Sequence, residues 1–237
     1  MKHLLTGCLL WTICTPAISQ RTVDVDKDMS RLPVQSYVYT VGGSPFVTAK
    51  FARVVQGSPF FNPEPMKGVL ILDEGKENRQ FPIKLNLLES EINYIENNVE
   101  MVATTPIREV VLWDTIQKKD YRFIHSSYIG SSEIKDIAFY ELLQAGTTEL
   151  YKHYKKQITE NKPYGSATVE QMIKTDIQYY VLHNKQWVRV KKLKDLSSFF
   201  TDKKTEIQQY INEKGLRDNE ADFKTLINYY NSLVAKQ

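Results

Sequence analysis

Gly68–Tyr94 reads GVLILDEGKENRQFPIKLNLLESEINY, two apolar, β-branched runs separated by Asp73-Glu74-Gly75-Lys76. Those four are tight-turn residues: the glycine can take φ > 0 and the aspartate can hydrogen-bond its own backbone. Gly68–Leu72 and Phe81–Leu87 are therefore expected to pair as an antiparallel hairpin. Ile92–Ile95 follows as a third strand after Glu89-Ser90-Glu91. Pro82 cannot donate to a sheet ladder, so its strand starts there or lies at an edge.

The same alternation extends in both directions. Upstream, Ser36–Val41 reads as a strand, Gly42-Gly43-Ser44-Pro45 as a turn and Phe46–Val55 as a second strand. Proline-rich Pro59–Pro65 then bends around Phe60 and Phe61, two aromatics expected to plug the end of the sheet. Downstream, Val99–Ala103 and Arg108–Trp113 alternate around Thr105-Pro106, and Tyr121–Ser126 follows. Ala138–Gln144 and Glu149–Tyr154 flank Ala145-Gly146-Thr147 as a hairpin. A loop with a short helix at Thr168–Ile173 is expected within Lys155–Lys174. Gln178–Leu182 and Trp187–Lys191 pair across His183-Asn184-Lys185.

The end of the chain changes period. Leu193, Leu196, Phe199 and Phe200 suit a short helix capped by Asp195, and Asp202 is placed to cap the next one. That second helix carries Ile207, Tyr210 and Ile211 and stops at Gly215, with Leu216 folding back in a Schellman turn. Asp218 or Asn219 starts the last helix, whose Phe223, Leu226, Ile227, Tyr230, Leu233 and Val234 form one apolar stripe. The stripe needs a surface, and a face of the β-meander supplies it. The fold class is thus α+β: mainly antiparallel β, in hairpins and a meander of sandwich or barrel type, with two to three C-terminal helices packed on the sheet.

Residues 1–19 have the form of a signal peptide. Lys2 and His3 precede an apolar segment, Leu4–Cys14, shorter than the ~20 residues a spanning helix needs. Ala17-Ile18-Ser19 offers small residues for cleavage before Gln20. Leu5-Thr6-Gly7-Cys8 resembles a lipoprotein box, but too little apolar chain precedes Cys8, so lipidation is not expected. Residues 20–35 read as a flexible linker, 36–192 as the antiparallel β domain and 193–237 as its helical cap. The expected location is periplasmic or extracellular, with no transmembrane span after signal cleavage.

Composition excludes several activities. Both cysteines of the chain, Cys8 and Cys14, lie in the leader, so the exported domain has no disulfide, thiol nucleophile or thiolate metal site. A formal net charge of +3 over 237 residues gives no field for nucleic acid. Asp24-Val25-Asp26-Lys27-Asp28 begins like a calcium loop, yet Met29 and Gln35 stand where an EF-hand requires glycine and glutamate. His125, His153 and His183 show no zinc-helix spacing; His125 is expected in the core, His153 and His183 in solvent. Ser132-Glu133-Ile134-Lys135 and Tyr151–Lys155 match short enzyme motifs without the companions those need. Trp113, Trp187 and the pair Tyr179-Tyr180, with one outward ring, fit sugar stacking and ordinary packing alike. No residue is assigned as catalytic, cofactor-binding or metal-ligating, and no cofactor is expected.

Several phrases resemble a family of uncharacterised bacterial exported proteins. They are Gly57-Ser58-Pro59-Phe60-Phe61-Asn62 with Lys67-Gly68-Val69-Leu70, and Phe139-Tyr140-Glu141-Leu142-Leu143 with Leu150-Tyr151. The tail from Asp195 to Leu233 is most similar, with Phe200-Thr201-Asp202-Lys203-Lys204-Thr205-Glu206-Ile207 and Tyr229-Tyr230-Asn231. The resemblance implies export and a β-rich domain with terminal helices, and assigns no functional residue. The expected function is a non-enzymatic binding or structural module of the bacterial envelope, with an envelope protein or glycan as its partner. The alternatives are a carboxylate-dependent hydrolase acting on envelope or extracellular polymer, and a periplasmic assembly or chaperone factor receiving partner strands at Phe60-Phe61 or an open sheet edge.

Overall fold

The computed structural model describes residues 42–45, 54–73, 80–162, 164 and 170–235, all within one compact unit, Val38–Gln237. The leader, the linker, the expected strand Ser36–Val41, residues 46–53 and the Glu74-Gly75-Lys76 turn lie outside the described residues.

Twelve strands form one sheet: β1 (Gly43–Pro45), β2 (Val54–Gln56), β3 (Met66–Leu72), β4 (Phe81–Asn86), β5 (Glu91–Glu96), β6 (Val99–Ala103), β7 (Ile107–Asp114), β8 (Lys119–His125), β9 (Phe139–Gln144), β10 (Thr148–Asn161), β11 (Glu170–His183) and β12 (Gln186–Val190). Their order is β1-β6-β5-β4-β3-β7-β8-β9-β10-β11-β12, with β2 beside β11. All pairings are antiparallel except β2 on β11, which is parallel. Three helices follow: α1 (Leu193–Phe199), α2 (Lys204–Lys214) and α3 (Glu220–Val234).

Four sequence expectations need correction. Gly43–Pro45 does not turn but pairs with Met101–Ala103 as a short edge strand. Glu170–Ile173 is strand rather than helix, because β10 and β11 continue as one long hairpin from Thr148↔His183 to Asn161↔Glu170. Asp195 stands in the first turn of α1, where its carboxylate accepts the Lys191 and Lys192 backbone N–H groups; the N-cap is Lys192. Asp202 accepts the Tyr230 hydroxyl at 3.2 Å instead of capping α2, whose N-cap is Lys203.

The link from β6 to β7 shapes the sheet. Only Thr104-Thr105-Pro106 joins them, yet β5, β4 and β3 lie between them in the sheet. A flat sheet would set two such strands roughly 19 Å apart, and a three-residue link reaches about 14 Å at most. The sheet therefore curls until the end of β6 meets the start of β7. β3 makes the bend. Its first residues, Met66–Gly68, pair with β4, and Lys67–Leu72 pair with β7.

Period-two alternation fills the curl. Met66, Leu70 and Leu72 of β3 and Phe81, Ile83 and Leu85 of β4 point inward, as do Ile92, Tyr94, Val110, Leu112 and Phe123. Each large apolar side chain so buried contributes roughly 1.5–3 kcal/mol. Phe61 closes this core, its ring edge-on to Tyr121, Phe123 and Tyr154. The expected plug is found. On the same face of the sheet, Leu150, Val181 and Val190 continue into a second core against Leu196, Phe200, Ile207, Phe223, Leu226, Ile227 and Tyr230 of the helical tail. Gly215 takes φ 61 after α2 and Leu216 N–H donates to Ile211 O at 3.1 Å, the expected Schellman stop. Asn219 caps α3 through the Asp222 N–H.

The opposite face of β9–β12 carries a third cluster. Tyr140 and Tyr151 lie beneath Ile129, Ile134 and Ala138 from the segment between β8 and β9. Trp187 sits among Tyr140, Tyr151 and Tyr180, stacked on Tyr180 with centroids 5.0 Å apart. Tyr179 faces the other way, edge-on to Phe223. Adjacent residues alternate as expected, but both rings are packed, so neither Tyr179 nor Tyr180 is the outward ring expected there.

Candidate functional site

A cleft of about 270 Å³ lies at the seam where the three-residue link brings the end of β6 to the start of β7. Its floor is apolar: Ile92 at the start of β5, Ala103 at the end of β6, Ile107 opening β7 and Phe139 opening β9. Its rim is polar. Ser90 ends the β4–β5 turn and Glu91 opens β5, Thr105 comes from the seam itself, and His125, Ser127 and Tyr128 from the end of β8 and the 3₁₀ turn after it. Strand ends from β5, β6, β7, β8 and β9 meet here.

Backbone geometry fixes the rim. Ser90 holds φ 58, a left-handed conformation uncommon outside glycine, asparagine and aspartate, and its hydroxyl donates to Ile137 O at 2.9 Å. That bond ties the β4–β5 turn to the segment entering β9 across the cleft mouth. Opposite, Thr104 N–H donates to Gly42 O at 2.7 Å, and Gly42 N–H donates to the Thr105 hydroxyl at 3.0 Å.

His125 is half-buried and stands edge-on to Phe139, the ring centroids 5.0 Å apart. Burial holds its pKa below the usual histidine value. Nδ1 accepts the Ser127 backbone N–H, so the neutral ring carries its proton on Nε2 and can donate from there. The expected core histidine is instead a cleft wall. Tyr128 stands beside it, its phenol pushed up by burial and by Asp73, with Arg108 acting the other way. Among the described residues, Glu91 is the one charged residue lining the cleft, and its carboxylate meets no hydrogen-bond or ion-pair partner.

The remaining histidines depart from expectation. His153 is 5% exposed, packed on Tyr140 at 4.5 Å, and desolvation pushes its pKa down to about 4. Its Nδ1 has no hydrogen-bond partner. His183 lies 2.8 Å from the Thr148 hydroxyl through Nδ1 and edge-on to Phe199, Phe200 and Tyr230. Neither is a solvated surface residue, because the β8–β9 segment covers one and the helical tail the other.

A second groove, about 370 Å³, runs between β11, the end of β12 and the start of α3. Two carboxylates line it. Asp218 accepts the Leu193 N–H at 2.7 Å. Glu220 accepts Lys152 Nζ at 2.7 Å and the Tyr179 hydroxyl at 3.1 Å. Although burial opposes it, those donors hold the Glu220 pKa below the ordinary glutamate value. Both acids are occupied in structural roles. No group of three or more His, Cys, Asp or Glu able to hold a metal occurs among the described residues. No helix among them is long and apolar enough to cross a membrane.

Compared with protein-family models, curated proteins and solved structures, the chain matches none. The site therefore has to be read from its own geometry.

Proposed function

We propose that the protein is an exported, non-enzymatic binding module of the bacterial envelope that holds a small ligand in the seam cleft. The observation that carries this is the cleft itself. It combines an apolar floor with a few convergent polar groups, built on strand ends whose spacing the hydrogen bonds of Ser90 and Gly42 fix. The signal-like leader supports export.

The chemistry around the cleft favours binding over turnover. The hydrogen bond to His125 comes from a backbone N–H, and the Ser90 hydroxyl is committed to a carbonyl. A serine nucleophile would need a hydroxyl hydrogen-bonded to the imidazole. The hydrolase alternative gains no support from the second groove, where Asp218 and Glu220 are engaged by Leu193, Lys152 and Tyr179. The chaperone alternative gains none from Phe60 and Phe61, which are packed.

Thermal unfolding against a panel of glycans, amines, carboxylates, lipids and short peptides tests the proposal. A ligand at 100 times its Kd adds about 2.7 kcal/mol of stability, a shift of several degrees. Ala103→Phe, which fills the cleft floor, should abolish that shift. A panel without a hit, or a hit untouched by Ala103→Phe, overturns the proposal.

A further inference from the structure

We infer that the seam cleft selects a small ligand carrying an ammonium group on a compact apolar body. The inference rests on the cleft being the binding site and adds the chemical class of its occupant. Among the described residues of the lining Glu91 is the sole charged one; it is half-buried, and its carboxylate has no partner among them. The other half-buried or buried acids nearby on this sheet have donors. Glu109 is paired with Arg122, Glu100 with Lys84 and Asn93, and Glu141 with Tyr154. A carboxylate partly withdrawn from water attracts a cation more strongly than an exposed one.

Among the described residues no cation lines the cleft beside Glu91. His125 is neutral, since burial lowers its pKa and Nδ1 is an acceptor. Arg108 and Asp73 both act on Tyr128, and neither lines the cleft. The ligand body would lie against Ile92, Ile107 and Phe139, and the cleft volume of about 270 Å³ limits it to one ring or a short chain. His125 Nε2–H remains available to a ligand hydroxyl or carbonyl. An anionic ligand would meet Glu91 with no compensating charge, so the site discriminates by repulsion as well as attraction.

Three probes sharing one ring separate the possibilities: benzylamine, benzyl alcohol and benzoate, each titrated calorimetrically into the purified protein. Benzylamine should bind at least about tenfold more tightly than benzyl alcohol, a factor equal to 1.4 kcal/mol, and benzoate weakest. Glu91→Gln should erase the difference between amine and alcohol. Glu91→Lys should move the preference to benzoate, which keeps the test valid if the glutamine variant alone is ambiguous. Benzyl alcohol or benzoate binding as tightly as benzylamine would overturn the charge assignment while leaving the cleft as a binding site. Binding of none of the three also overturns it, and the broader panel then decides whether the cleft binds anything.

Discussion

Tyr154 donates its hydroxyl to Glu141 at 2.6 Å, joining β10 to β9 where the curled core meets the helix-covered one. Glu141 is 2% exposed, and Lys119 Nζ stands 3.7 Å away. Burial and the adjacent carboxylate push the Tyr154 phenol well above the ordinary tyrosine range. Beside the pair, Lys152 lies over the Tyr154 ring and reaches Glu220 of α3. A polar chain thus links the strands to the tail between two apolar cores.

Tyr154→Phe keeps the ring contacts with Phe61 and Phe123 but leaves a buried carboxylate short of its donor. The cost should be about 2 kcal/mol, read as a lower urea midpoint at unchanged slope. A midpoint equal to wild type would mean that water or Lys119 replaces the phenol fully.

His153 predicts acid sensitivity. Its folded pKa of about 4 lies below the unfolded value near 6.5. Above pH 6.5 the ring is neutral in both states and its contribution is intact. As pH falls toward 4 the unfolded chain binds the proton first, and stability is lost by up to about 3 kcal/mol. His153→Gln should flatten the acid limb of stability against pH. An unchanged limb would show that other groups produce it.

Phe60 and Phe61 should behave as core. Replacing both by serine is expected to lower stability by roughly 3 kcal/mol or more, the range for truncating buried aromatics. A stable double variant would return this loop to the candidates for partner capture.

Two glycines separate conformational strain from crowding. Gly57 has φ 84, and a Cβ there would lie 2.3 Å from Ile173 O. Gly215 has φ 61 but open space around it. Gly215→Ala should cost about 1 kcal/mol. Gly57→Ala should cost clearly more and release β2 from β11, seen as faster amide exchange at Gln171 and Met172. Equal costs would contradict the crowding at Gly57.

Local chemistry made much of this fold legible. Asn184-Lys185 forms a two-residue turn with φ 49 and 66, as the flanking alternation implies. The Gly215 stop and the apolar stripe of α3 follow from sequence spacing alone. Long-range features did not show. Thr105-Pro106 reads only as a break between two alternating runs, and nothing near it shows that β6 and β7 pair with other strands and that the link bends the sheet. Beyond Tyr154 the long hairpin is mostly polar, with Lys155, Gln157, Thr175 and Asp176 around the paired Ile158 and Ile173, so no sustained apolar period marks it. His153 looks solvated because nothing near it in sequence covers it. Glu91 carries no motif, and its isolation in a cleft exists only once the seam has closed.

The histidine ring resonances report directly where a ligand binds. His125 lines the cleft, while His153 and His183 sit in other clusters. In an NMR titration with a hit from the panel, the His125 Cε1–H signal should move in proportion to occupancy, with those of His153 and His183 fixed. Movement of His153 or His183 with His125 unchanged would contradict the seam cleft as the binding site.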